Sequence, residues 1–146
     1  MTEKGTVHRQ FTTHSAEETT ELGRQLAGEL RPGSVVLLRG ELGAGKTTLA
    51  KGIAEGFGAA EAAAVTSPTF TLIHEYRGPE VTLYHIDLYR IDTQRELDTL
   101  ALDDLMEPNT ILLIEWGEKF ERFAKERDAE IALEHIGGDE RLVRIG

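Results

Sequence analysis

A chain of 146 residues, 40% of them apolar and 29% charged, fits one domain, 1–146, with a single buried core. Its 16 basic residues stand against 26 acidic ones, a net charge of -10. That argues against a broad direct contact with nucleic acid, which relies on Lys and Arg displacing counterions, and leaves room for a small basic patch or a basic protein partner. The absence of cysteine excludes disulfides, thiolate zinc sites and cysteine-ligated iron–sulfur clusters. "MTEKGTVHRQ" carries no apolar run, and no stretch approaches the roughly 20 apolar residues of a membrane span. The expectation is a soluble cytoplasmic protein.

Near the start, "FTTHSAEETTELGRQLAGELRPGS" reads as a strand end, a cap and a helix. Ser15 followed by Glu18 is a capping-box pattern, Leu22, Leu26 and Leu30 form an apolar stripe, and Pro32–Gly33 stop the helix. Val35 to Leu38 is a short, wholly apolar run, as expected of a strand covered on both faces. A glycine loop follows, then a helix from about Lys46 to Phe57. The alanines of "AAEAAAVTSPTF" can extend that helix until Thr66–Ser67–Pro68 breaks it. "FTLIHEY" and "VTLYHIDLY" read as a hairpin around Arg77–Gly78–Pro79–Glu80. "DTQRELDTLALDDLM" is one helix or two short ones, capped by Asp92 or Thr93. "TILLIEW" is a second buried strand, "EKFERFAKERD" a helix with a charged face, and "AEIALEHIGGDERLVRI" a hairpin turning at Gly137–Gly138–Asp139. The fold class is α/β: a P-loop NTPase-like, three-layer arrangement with a mostly parallel central sheet and antiparallel hairpin additions.

Gly40-x-x-x-x-Gly45-Lys46-Thr47 fits the Walker A pattern. Glycines let backbone N–H groups curl around phosphates, and the helix start adds its dipole and free N–H groups. Lys46 is expected to reach the β and γ phosphates and Thr47 to offer its hydroxyl to Mg²⁺, with ATP or GTP as the ligand. Lys46 is expected to face solvent when no phosphate is bound. A metal held by one hydroxyl and phosphate oxygens also needs a nearby carboxylate. Glu115 ends "ILLIE" and Asp87 ends "LYHID". Glu115 is assigned to the metal, and Asp87 to its water shell or to the attacking water; an exchange of the two roles stays open.

Four weaker candidates surround this set. The hydroxyls of Thr66-Ser67-Pro68-Thr69 can sense a γ-phosphate as a switch loop does, although a plain turn into a strand explains the segment as well. His85, beside Asp87, is more often a packed or hydrogen-bonded residue than a base. Trp116, the single Trp, shields the phosphates, meets a partner, or simply packs in the core. Arg141 can lie over an adenine ring.

"GELGAGKTTLAKGIAEGFG", "VTSPTFTLIHEY", "YHIDLYRI" and "LLIEWGEKF" occur in this order. Together they resemble the TsaE (YjeE) family of bacterial tRNA threonylcarbamoyladenosine biosynthesis ATPases, over nearly the whole chain and least at its two ends. The resemblance implies a P-loop ATPase with a small central sheet, ATP and Mg²⁺ as ligands, and work with two partner proteins, TsaD and TsaB. Together they place a threonylcarbamoyl group on the adenosine beside the anticodon of tRNAs reading codons that begin with A. TsaD carries the transfer, and the ATPase cycles the complex. Transferred by position, Lys46 and the run Gly43, Ala44, Gly45, Thr47 and Thr48 hold phosphates. Thr47 and Glu115 bind Mg²⁺, with Lys46, Asp87 and Glu115 as the catalytic set. Thr69 and Trp116 lie at the nucleotide site; Thr13, Ser15 and Arg141 flank the base. An acidic chain in such a system implies docking on TsaD–TsaB with little contact to RNA, no membrane, and weak self-association left open.

Three rivals are weighed against this reading. A small kinase needs a second substrate pocket and an arginine-bearing lid, whereas Lys119, Arg122, Lys125 and Arg127 sit on what reads as an ordinary helix. A GTPase wants an N-K-x-D signature, which the sequence lacks. A nucleotide-binding subunit without catalysis would share every residue named above.

Overall fold

The computed structural model describes residues 9–41, 44–59, 62–65 and 72–146. Among the described residues eight strands form one sheet: β1 (Arg9–Thr13), β2 (Val35–Arg39), β3 (Ala62–Val65), β4 (Leu72–Arg77), β5 (Thr82–Asp87), β6 (Thr110–Glu115), β7 (Ala129–Gly137) and β8 (Glu140–Ile145). The described residues also hold four α-helices: α1 (Ala16–Ala27), α2 (Lys46–Gly56), α3 (Gln94–Thr99) and α4 (Glu121–Glu126). The strand order is β1-β8-β7-β2-β6-β5-β4-β3. The four central strands, β7-β2-β6-β5, run parallel. Antiparallel additions close both edges, β8 and β1 on one side and β4 and β3 on the other.

The wholly apolar runs of β2 and β6 take the centre because both faces of a parallel sheet are covered. Alternate residues then divide between two cores. Val36, Leu38, Ile111 and Leu113 pack with Leu22, Leu26, Leu49 and Ile53 under α1 and α2. Val35, Leu37, Leu112 and Ile114 pack with Leu97, Leu102, Phe120 and Phe123 on the opposite face. These are the three expected layers. α1 and α2 approach closely: a Cβ built on Gly52 would lie 2.2 Å from Thr20 O. A smaller side chain than alanine's is therefore required there.

The alanine segment departs from expectation. α2 ends at Gly56, and the turn is closed by Ala59 N donating to Ala54 O at 3.0 Å. Ala62–Val65 is then an edge strand, paired antiparallel with β4 from Ala62 opposite Tyr76 to Val65 opposite Ile73. Helix propensity in alanine amounts to tenths of a kcal/mol per residue, and the ladder offered by β4 outweighs it. The two-piece reading of the next segment is the observed one. Thr93 caps α3 in a reciprocal capping box with Glu96, and a separate 3₁₀ turn covers Leu102–Leu105. Among the described residues no helix is long and apolar enough to cross a membrane.

Candidate nucleotide site

Strand register brings the chemistry together. Leu38 on β2 lies opposite Glu115 on β6, and Glu115 lies opposite Asp87 on β5. Three strand ends thus reach one level at the carboxyl edge of the sheet, where open α/β sheets take their ligands. Residues opposite one another in parallel strands share a face. Asp87 and Glu115 therefore lie on the side of Leu38, the side covered by α2.

Lys46 opens α2 and is 9% exposed. Its Nζ lies 3.0 Å from Glu115 Oε1, donates to Gly40 O at 2.5 Å and sits 5.8 Å from the centre of the Trp116 ring. The expectation of a solvent-facing lysine is not met. The end of β6 lies beside the helix start, so the ammonium finds a carboxylate instead of water. Burial alone would push the Glu115 carboxyl up, but the hydrogen-bonded His85 and the Lys46 ammonium outweigh it and hold the group below the usual carboxylate range. His85, at 6% exposure, meets Glu115 through Nε2 and Oε2 at 2.5 Å. The hydrogen-bonded reading of this histidine is the observed one.

The start of α2 differs from those of α1 and α3, and from that of α4, which also lacks a side-chain cap but carries Glu121 in its first turn. α1 is capped by the Ser15 hydroxyl and has Glu17 and Glu18 in its first turn; α3 has its capping box. α2 has Gly45 at the cap position with φ +97°, no side-chain cap and no acid in its first turn. Only glycine takes that left-handed conformation without strain. An 11-residue helix that opens on a lysine with no cap fits an anion supplied from outside. The donor set also fits Mg²⁺: Thr47 is exposed one residue into the helix, and Glu115 is held ionised. Among the described residues no three His, Asp or Glu side chains cluster to hold a metal ion. A Mg²⁺ here would draw most of its oxygens from phosphate and water, which is its usual habit.

The remaining expected residues divide. Asp87 is half-buried, and its Oδ1 accepts from Tyr89 N at 2.9 Å. Thr48 is half-buried one residue beyond Thr47. Trp116 has φ +66°, a costly conformation for a bulky residue, which turns the chain just after Glu115 and leaves the ring over Lys46. Thr13 and Arg141 are register partners on β1 and β8. Arg141 Nε donates to Ala44 O at 3.1 Å, which joins the end of the chain to the glycine loop. Thr13 is buried, 2.7 Å from the Thr19 hydroxyl, while the Ser15 hydroxyl accepts from Glu18 N at 3.1 Å as the cap of α1. Gly43 and Thr69 lie outside the described residues.

A cavity of about 330 Å³ opens here, lined in part by Gly40, Glu41, Lys46, Trp116, Glu118 and Leu133. Sequence reasoning missed the last two, and also Tyr89, whose ring centre lies 5.4 Å from that of Trp116. It missed Lys119 too, whose Nζ donates to Leu88 O at 3.2 Å and Tyr89 O at 3.0 Å, pinning the loop after β5 to the one after β6. For Tyr89, Glu118 and Lys119 the one available signal was proximity in sequence to Asp87 and Glu115; for Leu133, on β7, there was none.

Residues 13–143 match the family described as "Threonylcarbamoyl adenosine biosynthesis protein TsaE". The chain belongs to the TsaE family. The matched span runs from Thr13 past Arg141. A Bacillus subtilis (strain 168) member, named "tRNA threonylcarbamoyladenosine biosynthesis protein TsaE", is 39% identical over 131 residues, 90% of this chain and 80% of its own. A Streptomyces coelicolor relative of the same name is 45% identical over 111 residues, 73% of each chain. The crystal structure of YdiB from Bacillus subtilis superposes with a TM-score of 0.73 at 34% identity, covering 95% of this chain and 84% of that one.

Proposed function

We propose that this TsaE-family chain is the Mg²⁺-dependent ATPase subunit required for threonylcarbamoylation of the adenosine next to the anticodon. Its tRNAs are those reading codons that begin with A, and it acts by cycling a TsaD–TsaB pair in the cytoplasm. The observation that carries the reading is the meeting of Lys46 Nζ and Glu115 Oε1, 3.0 Å apart, at an uncapped helix start. The family's relatives, named for threonylcarbamoyladenosine biosynthesis, supply the pathway.

In this reading Gly43, Ala44, Gly45, Thr47 and Thr48 hold the phosphates, and Lys46 supplies the charge that offsets theirs. Thr47 and Glu115 would hold Mg²⁺, which when bound neutralises charge on the phosphate oxygens. Asp87 orients the attacking water. Trp116 closes the phosphate end against solvent, Thr69 senses the terminal phosphate, and Thr13, Ser15 and Arg141 flank the base. Arg141 does so from a fixed position, because its Nε is committed to Ala44 O. The net charge of -10 supports docking on partner proteins with little contact to RNA.

The test is MgATP hydrolysis by the chain alone and with TsaD and TsaB added. Little turnover alone and a clear rise with the partners is the expected result. Equal turnover in both cases refutes the cycling role and points to an independent enzyme with its own acceptor. Tight tRNA binding by the isolated chain at physiological salt refutes the docking arrangement.

A further inference from the structure

Glu115 has two oxygens and two different partners. Oε1 faces Lys46, which belongs to the glycine loop and has phosphate as its expected target. Oε2 faces His85, which belongs to the sheet. On β5 and β6, His85 lies opposite Leu113 and Asp87 opposite Glu115. His85 is thus one pleat step back from Glu115 on the same face, and its ring reaches diagonally forward to the carboxylate.

Both residues are buried, at 6% and 7% exposure, and the ring nitrogen and the carboxylate oxygen meet in a short hydrogen bond with a charged acceptor. The ionised carboxylate can only accept, so Nε2 carries the proton and donates. Behind His85 stands His74, its register partner on β4, with ring centres 6.4 Å apart. The imidazole is therefore backed by one strand while it reaches across the next.

We propose that His85 is a positioning residue for the metal carboxylate. It fixes the orientation of Glu115 after Lys46 has turned to a phosphate, when the lysine no longer holds Oε1. The proposal rests on the assignment of Glu115 to Mg²⁺ made above. Residues that hydrogen-bond a metal-binding group typically change metal affinity by about 10–100-fold when removed.

The test is titration of the full chain with a fluorescent N-methylanthraniloyl-ADP, once with Mg²⁺ and once with EDTA. It compares the unsubstituted chain, His85→Leu and His85→Gln. His85→Leu is expected to lose about tenfold of the affinity gained from Mg²⁺ while binding unchanged in EDTA. His85→Gln keeps an N–H that can donate to Oε2 and is expected to restore much of that gain. A folded His85→Leu chain with its full gain from Mg²⁺ overturns the proposal. So does an equal loss with Mg²⁺ and with EDTA, which a purely structural role would produce.

If His85→Leu does not fold, nuclear magnetic resonance of the unsubstituted chain decides. The His85 Nε2 proton should resonate far downfield and stay there when MgADP is added; its disappearance on loading overturns the proposal. An unsubstituted chain that binds the nucleotide with no gain from Mg²⁺ defeats the Glu115 assignment itself, and His85 falls with it. That result is separable because it is read without any substitution.

Discussion

Replacing Lys46 with alanine removes more than the proposed phosphate contact. It removes the 3.0 Å ion pair to Glu115, the 2.5 Å hydrogen bond to Gly40 O and the packing beneath Trp116. Breaking a buried ion pair by deleting one partner costs about 3–5 kcal/mol, because the other charge is left buried and alone. Glu115 would not be alone, since His85 still donates to Oε2. The smaller figure of about 1.5–3 kcal/mol, for a hydrogen bond to a charged group, is therefore the better guide. For a domain of this size that corresponds to a Tm lower by roughly 3–12 °C, at about 2–4 °C per kcal/mol.

Urea unfolding followed through the single Trp measures this directly, because Trp116 lies over the substituted side chain. Adding Glu115→Gln and the double variant completes a cycle. Residues in contact couple by about 0.5–3 kcal/mol, and the upper half of that range is expected here. Additivity within about 0.3–0.5 kcal/mol, or a Lys46→Ala chain as stable as the unsubstituted one, would show that the two side chains do not meet in solution. Lys46→Ala is accordingly a valid blank for nucleotide-dependent function only once its folding has been checked.

Three further predictions concern the same frame. Glu115 sits below the usual carboxylate range in the folded chain, so its contribution is fully present above the unfolded value of 4.5 and is lost as pH falls through the depressed folded value. The urea midpoint of the unsubstituted chain should therefore fall faster below pH 4.5 than that of Glu115→Gln; identical slopes would refute the assignment. Gly52→Ala should cost about 1–3 kcal/mol in overpacking, for a net loss of up to about 2 kcal/mol in thermal unfolding, because a Cβ placed 2.2 Å from the Thr20 carbonyl must push two helices apart. The net figure already subtracts the gain of about 1 kcal/mol that alanine brings to a helix, and a stabilised variant would refute the close approach. Arg141→Ala should weaken nucleotide binding by up to about tenfold, the equivalent of one hydrogen bond of roughly 1.4 kcal/mol, by releasing Ala44 O. Unchanged affinity in a nucleotide titration would show that β8 plays no part in holding the loop.

The local chemistry of this chain was legible in the sequence because it is written in neighbouring residues. Gly40 to Thr47 lie in one run between an apolar strand and a helix, and β2 and β6 declare their central place through unbroken apolar runs. Thr93 with Glu96, and Ser15 with Glu18, mark helix starts within four residues. Asp87 and Glu115 were recognisable as acids ending apolar strands, and their pairing required only that the two strands be adjacent.

What tertiary structure decided depends on strand order, which no local pattern encodes. Placing β6 between β2 and β5 brings Glu115 beside Lys46 on one side and His85 on the other, and so turns a lysine expected in water into a buried ion. Pairing β1 with β8 carries Thr13 and Arg141 from opposite ends of the chain to the back of the glycine loop. The alanines of β3 became a strand because β4 lay there to pair with. For β3 a weak local helix preference, worth tenths of a kcal/mol per residue, yields to a neighbouring strand, while Lys46 and Arg141 take partners from segments far apart in sequence.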